Sequence, residues 1–204
     1  ADVSCFQIKD VQSAETAYRA LRTMPITSGD ESYVRWLAAF RLGYIAIARE
    51  QYRESIDLNT TAYNVASTDE RKHDAAAHVG IAYDFLNERE DAMSWYRKAG
   101  ANSTAQRNLN RKRPPQELAV EKISWAYSIG LYPRVVALAD SAITTKLVPD
   151  QRVHAQVLYQ QGVACYETGM YERADRCFTA VLGIQGADAW LHPFSHYRLG
   201  MTLV

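Results

Sequence analysis

Two histidines four residues apart, His192 and His196 in HPFSH, are the pair in this sequence best spaced to hold a metal ion, because that step turns both rings to one helix face. Pro193 between them places the pair at a helix start, and no Asp or Glu follows at a ligand interval. Polar contacts at a helix entry are expected there, not a metal. His73 and His78 lie five apart and fall on different faces. Cys165 has no His at a short spacing and is expected to be a packed thiol rather than a nucleophile. Cys5, Cys165 and Cys177 are odd in number and irregularly spaced, which is neither a disulfide framework nor a zinc ligand set. No phosphate loop, dinucleotide fingerprint or Gly-x-Ser-x-Gly elbow occurs. Glu88, Glu90 and Asp91 gather where a helix N-terminus favours negative charge. The expectation is a non-enzyme with no cofactor and no metal.

The elements that would carry these residues read as helices. Gly and Pro are sparse within segments of about 12 to 16 residues whose apolar positions recur at three- and four-residue steps. Alternating β-branched runs closed by Asn-Gly turns are missing. Charged residues make up 23% of the 204, and 23 Lys and Arg balance 23 Asp and Glu. No global field therefore draws the chain to nucleic acid, and direct nucleic-acid binding is not expected. No apolar run reaches the roughly 18 residues that a membrane-spanning helix needs. The opening ADVSC, without Met or an apolar leader, is expected in an excised or processed chain, and it leaves cytoplasm and periplasm both open as compartments.

The helical segments come in pairs that resemble one another. Leu42-Gly43 is followed by Ser55 and Ala62, Val79-Gly80 by Ala92 and Ala99, and Gln161-Gly162 by Ala174 and Phe178. Ser55, Ala92 and Ala174 each fall 12 positions after their glycine. A looser pair has Ile123 in place of the glycine, with Val135 and Ala142 following, and Leu199-Gly200 opens another. Two antiparallel helices come close only where side chains are small, so such residues mark a crossing. A single hairpin cannot bury its apolar face alone, so several must stack.

These residues resemble the tetratricopeptide repeat, in a long variant whose units are separated by 37, 43, 39 and 38 residues against a norm of ~34. The resemblance implies an all-α superhelical array of antiparallel helix hairpins, with nine or ten helices. It implies one array over 1–204: a partial unit at 10–26, units at about 33–68, 73–106, 116–149 and 152–187, and a partial unit at 190–204. The terminal helices, lacking neighbours, are expected to expose apolar faces or to bury them by self-association.

In such an array the first helix of each pair lines the concave side. Reading three positions before, one after and four after the signature residue gives Phe40, Tyr44 and Ile47, then Ala77, Ile81 and Asp84. The later units give Val120, Ser124 and Tyr127, then Tyr159, Val163 and Tyr166, with Tyr197 and Met201 last. This apolar, Tyr-rich face is the expected partner-binding groove. Family members that capture chaperone tails use a Lys and Asn clamp here, whereas Phe40, Tyr44, Ala77 and Ile81 hold the matching places. Arg107, Arg111, Lys112 and Arg113, in GANSTAQRNLNRKRPPQE, form the most basic short stretch, a solvated turn or a docking patch for an acidic partner or phosphate. Gly100 and Asn102 read as a helix stop and Pro114-Pro115 as the next entry. The function expected is a scaffold that holds a peptide or helix of a protein partner, without membrane insertion. The alternative is a sensory or regulatory module that binds a small ligand or signalling peptide.

Overall fold

Small residues at the 12-residue step allow helices to pair, and in the computed structural model they do. It describes residues 11–25, 30–148 and 150–202; Cys5 and the outermost residues of both partial units lie outside the described residues. The order is α1 (Val11–Thr23), α2 (Glu31–Ala48), α3 (Tyr52–Val65), α4 (Asp69–Phe85), α5 (Arg89–Lys98), α6 (Ser103–Leu109), α7 (Pro115–Ser128), α8 (Tyr132–Thr144), α9 (Gln151–Glu167), α10 (Tyr171–Leu182) and α11 (Leu191–Thr202). The protein is all-α, and no strand occurs among the described residues. Among the described residues eleven helices stand where nine or ten are expected. The additional one is α6, in the stretch read as a turn. Helices α1–α6 form one compact unit and α7–α11 a second.

Leading helices α2, α4 and α9 open with a side-chain cap. Asp30, Thr68 and Asp150 accept from the amides of Tyr33, Arg71 and Val153, which satisfies a donor that has no intrahelical partner. Helix α7 instead starts at Pro115, where a missing N–H costs nothing. Each leading helix then ends in the same turn. Glu50, Asn87, Gly130 and Gly169 take positive φ of 60°, 59°, 73° and 77°. The next amide reaches back five residues in every case: Gln51 to the Ala46 carbonyl (2.9 Å), Glu88 to Tyr83 (3.0 Å), Leu131 to Ala126 (3.0 Å) and Met170 to Cys165 (2.8 Å). This is the Schellman closure, and it reverses the chain into the trailing helix.

The crossing itself depends on the glycines. A Cβ built on Gly162 would lie 2.7 Å from Cε1 of Phe178, and those on Gly43 and Gly80 would collide with Asn59 and Tyr96. Each obstacle stands 16 residues after its glycine, one helical turn past Ser55, Ala92 or Ala174, all three of which are 0% exposed. The pair α7/α8 solves the problem the other way. Ile123 occupies the glycine place, and the residue 16 positions on is Ala139, with both fully buried. In the second unit one cluster joins Ile123, Val135 and Ala139 to Val163, Phe178 and Val181.

Tyr96 is 1% exposed and donates to Asp84 at 2.7 Å, so its ring cannot swing aside without losing that bond. Gly80→Ala is therefore expected to destabilise the protein by ~1–3 kcal/mol through overpacking, read by urea unfolding. A change within about 0.5 kcal/mol of zero, the size typical of surface changes, would contradict the crossing.

Candidate functional site

The expected groove residues of the first unit are mostly enclosed. Trp36, Phe40 and His78 stack in sequence, with centroids 5.0 and 4.5 Å apart, and Tyr44 meets His78 edge-on at 5.8 Å. Tyr33 extends the stack at 5.9 Å, and the Arg71 guanidinium lies 4.5 Å above its ring. Phe40 is thus held between an indole and an imidazole and is 7% exposed. Ile47 and Ile81, expected on the same open face, are 2% and 3% exposed and belong to the packing of α2 and α4. Tyr44 alone of the three on α2 stays half-buried. His73 is apart from His78 and packs near Gly100.

Asp84, also expected in the groove, is the acceptor of an internal polar cluster. Its carboxylate takes the Tyr96 hydroxyl at 2.7 Å and Arg89 Nη1 at 3.2 Å, and Arg113 Nη1 stands 4.0 Å away. Asn108 Nδ2 donates to the Tyr96 hydroxyl at 3.4 Å, while Arg89 Nη2 donates to the carbonyls of Asn108 and Leu109, at 2.7 and 2.9 Å, at the end of α6. Burial first, and the Asp84 charge second, raise the Tyr96 pKa, so its proton stays in place as a donor. Short α6 is fixed onto α4 and α5 by these bonds. Asn102, read as a stop, is the α6 N-cap and accepts from Thr104 and Ala105 amides at 3.0 and 3.2 Å.

The basic stretch is correspondingly divided. Arg113 is 4% exposed and turned inward to Asp84, so it is no part of a solvent-facing patch. Arg111 is half-buried, with Nε donating to the Arg107 carbonyl at 3.2 Å, and only Arg107 and Lys112 of the four are exposed.

The second unit keeps rings at its surface. Tyr159 and Val163 are buried at 7% and 1%, but Trp190 sits edge-on to Tyr159 at 5.5 Å and Phe194 edge-on to Trp190 at 6.1 Å. Trp190, Phe194 and Tyr197 are 49%, 52% and 64% exposed. Pro193, Phe194 and Tyr197 line an apolar hollow. Half-buried Tyr166 meets exposed Tyr171 edge-on at 5.5 Å, with Arg198 5.8 Å from the Tyr166 centroid and 3.8 Å from Glu167. Half-buried Tyr127 has its pKa pushed up to about 12 by burial, so it too remains a donor. Trp190, Phe194 and Tyr171 were not among the expected residues. Phe194 lies three positions before Tyr197, and that helical step is the signal that adds it to the same face.

Cys165 and Cys177 are buried thiols, and burial pushes Cys177 up to about 11 and raises Cys165 as well. Neither is a thiolate at neutral pH. His192 is half-buried in the first turn of α11 and His196 is exposed. Among the described residues no helix is long and apolar enough to cross a membrane.

With this geometry in view, residues 155–188, the α9/α10 hairpin, match the tetratricopeptide repeat. The resemblance read from Gly162 and Ala174 is borne out there. Proteins of that repeat serve protein–protein interaction, which is the class of function the match supports. No curated protein matches the chain. Among solved structures it is similar to MamA AMB-1, at 18% identity over 84% of this chain and 86% of that one, with a TM-score of 0.35. A point mutant of MamA gives the same identity and TM-score over 84% and 91%. At that TM-score the likeness carries nothing about function.

Two outcomes test this account of the first unit. Asp84→Ala leaves the buried Tyr96 hydroxyl without its acceptor and removes the carboxylate beside buried Arg113, and should cost about 3–5 kcal/mol of stability, where loss of a groove contact would leave the melt unchanged. His78 is held to about 3, below its ordinary 6.5, chiefly by burial and secondarily by the Arg41 charge. The unfolded chain therefore binds the extra proton between those values, and stability falls as pH drops below about 6.5, by up to about 1.4 kcal/mol per pH unit. Thermal melts from neutral to mildly acid pH should slope less in His78→Phe than in the parent; equal slopes would refute the assignment.

Proposed function

We propose that this protein is a non-catalytic interaction module and that the aromatic face of its second unit is the surface that takes a partner's peptide or helix. The observation that supports it is the strip of Trp190, Phe194 and Tyr197, each about half exposed or more, seated on buried Tyr159. Large rings left at a surface in contiguous array mark interaction sites more often than they mark packing faults. Tyr and Trp bury much area for little lost side-chain freedom and keep a polar tip. Tyr127, Tyr166 and Tyr197 supply such tips, and Arg198 adds a cation over Tyr166. The segment that fits is one presenting two or more aliphatic or aromatic anchors to the Phe194–Tyr197 hollow. In the first unit only Tyr44 of the expected face retains access, so Phe40, Ile47, Ile81 and Asp84 act through stability rather than contact.

The test separates binding from folding. Phe194→Ala and Tyr197→Ala should leave the melt within about 0.5 kcal/mol of the parent yet weaken capture of a partner tenfold or more, since a central anchor is worth ~2 kcal/mol. Phe178→Ala, in the core, should cost about 3–5 kcal/mol. Affinity purification with each variant, followed by mass spectrometry and titration of the captured protein, reads the outcome. Undiminished capture by both surface variants sinks the proposal. A small molecule in place of a protein on the intact chain would favour a sensory module.

A further inference from the structure

Cys165 and Cys177 repeat, one turn further on, the 12-residue step that joins Gly162 to Ala174. The corresponding places in the other glycine hairpins are Ala46 with Leu58 and Tyr83 with Trp95. Each of those pairs shares one packed cluster, so the step marks two side chains that lean together across the hairpin. Here both are thiols. Cys177 Sγ stands 3.5 Å from Oε1 of Gln161, which lies one turn before Cys165 on α9, and the two thiols are within hydrogen-bonding reach of each other.

The pair is enclosed, but its surroundings reach the surface. Cys165 is 0% exposed and Cys177 7%. Gln161 Nε2 donates to Asp140 of α8 at 2.7 Å, and Arg173, one turn before Cys177 on α10, pairs with the same carboxylate. That ion pair meets solvent, with Arg173 34% and Asp140 47% exposed. The Arg173 charge acts on both thiols and favours their ionised forms against the burial that opposes them.

We propose that Cys165 and Cys177 are an oxidisable pair that hydrogen peroxide converts into a disulfide across the α9/α10 hairpin. The Cys177 sulfur, the more exposed of the two, attacks the O–O bond of the peroxide, which gives a sulfenic acid and water. The Cys165 thiol then bonds to that sulfur, and the hydroxyl leaves with the thiol proton as a second water. Two thiols and one peroxide become one disulfide and two waters, with two electrons passing from sulfur to oxygen. Both thiols are protonated at rest, so the reaction is slow, and their burial favours an oxidant as small as peroxide over one as bulky as oxidised glutathione. The cross-link ties the last turn of α9 to α10 across the Gly169 turn. It involves none of the aromatic side chains of the partner face and stands or falls apart from that proposal.

Peptide mapping by mass spectrometry of the folded chain, treated with hydrogen peroxide and then alkylated, tests it. A peptide linked through Cys165 and Cys177 should appear, lighter by about 2 Da than its reduced parts for the two hydrogens lost, with helical circular dichroism retained. Dithiothreitol should reverse it, and the linked chain should melt at a higher temperature, since the bond restricts the unfolded state. Cys165→Ser should leave Cys177 as a sulfenic acid that dimedone traps, whereas Cys177→Ser should leave Cys165 unmodified. Cys165→Ala repeats the first arm should the serine variant lose its helical signal. A Cys177 that goes to sulfinic or sulfonic acid without linking, or a link to Cys5 in place of the pair, overturns the proposal. So does a link that forms only in unfolding urea, or a folded chain whose two thiols stay reduced.

Discussion

The side chain missing at Gly43, Gly80 and Gly162 sets how closely leading and trailing helices approach, and the rest of each hairpin follows from that approach. With no Cβ on one helix, Asn59, Tyr96 or Phe178 can lie flat across the other. The requirement is on summed volume rather than on glycine as such. Ile123 opposite the sixteen-step Ala139 places the large residue on the leading helix and the small one on the trailing helix, and both are still fully buried. What each hairpin conserves is one large and one small residue per crossing.

Closeness then dictates the chemistry around the crossing. Tyr96, laid across Gly80, carries its hydroxyl into the interior, where a phenol needs an acceptor. Asp84, one turn further along α4, supplies it and thereby needs cations of its own, which Arg89 and Arg113 provide. Phe178 makes no such demand, and the corresponding part of α9 holds Tyr166, which faces Tyr171 and Arg198 at the surface. The hydroxyl that distinguishes Tyr96 from Phe178 thus goes with a buried carboxylate at Asp84 in one hairpin, where the other holds Tyr166 at the corresponding place.

Much of the fold was legible because the 12-residue step recurs in plain sight. The turns were not. Their positive-φ positions fall seven residues after Gly43, Gly80, Ile123 and Gly162, but Glu50 and Asn87 hold two of them, and only Gly130 and Gly169 announce the geometry. Helix α6 escaped notice because Asn102 serves equally as a stop or as an N-cap, and only the position of the Thr104 and Ala105 amides decides. For the candidate site, fixed offsets name a helix face without naming what covers it. Phe40 is enclosed by Trp36, which comes earlier on its own helix, and by His78, contributed by the next leading helix. Trp190 precedes α11 altogether, so no offset from Gly200 could reach it.

Nearly every helix packs on its immediate predecessor and successor, with further packing mainly between consecutive leading helices such as α7 with α9 and α9 with α11. Loop closure for such contacts spans a few tens of residues and costs little entropy, which places a chain of this kind at the fast end of the range of folding rates. Nucleation is correspondingly undemanding about where it begins. A growing chain leaving the ribosome can complete α2 with α3, and then α4 with α5, without waiting for residues that are not yet made. The order of synthesis and the order of folding can therefore coincide.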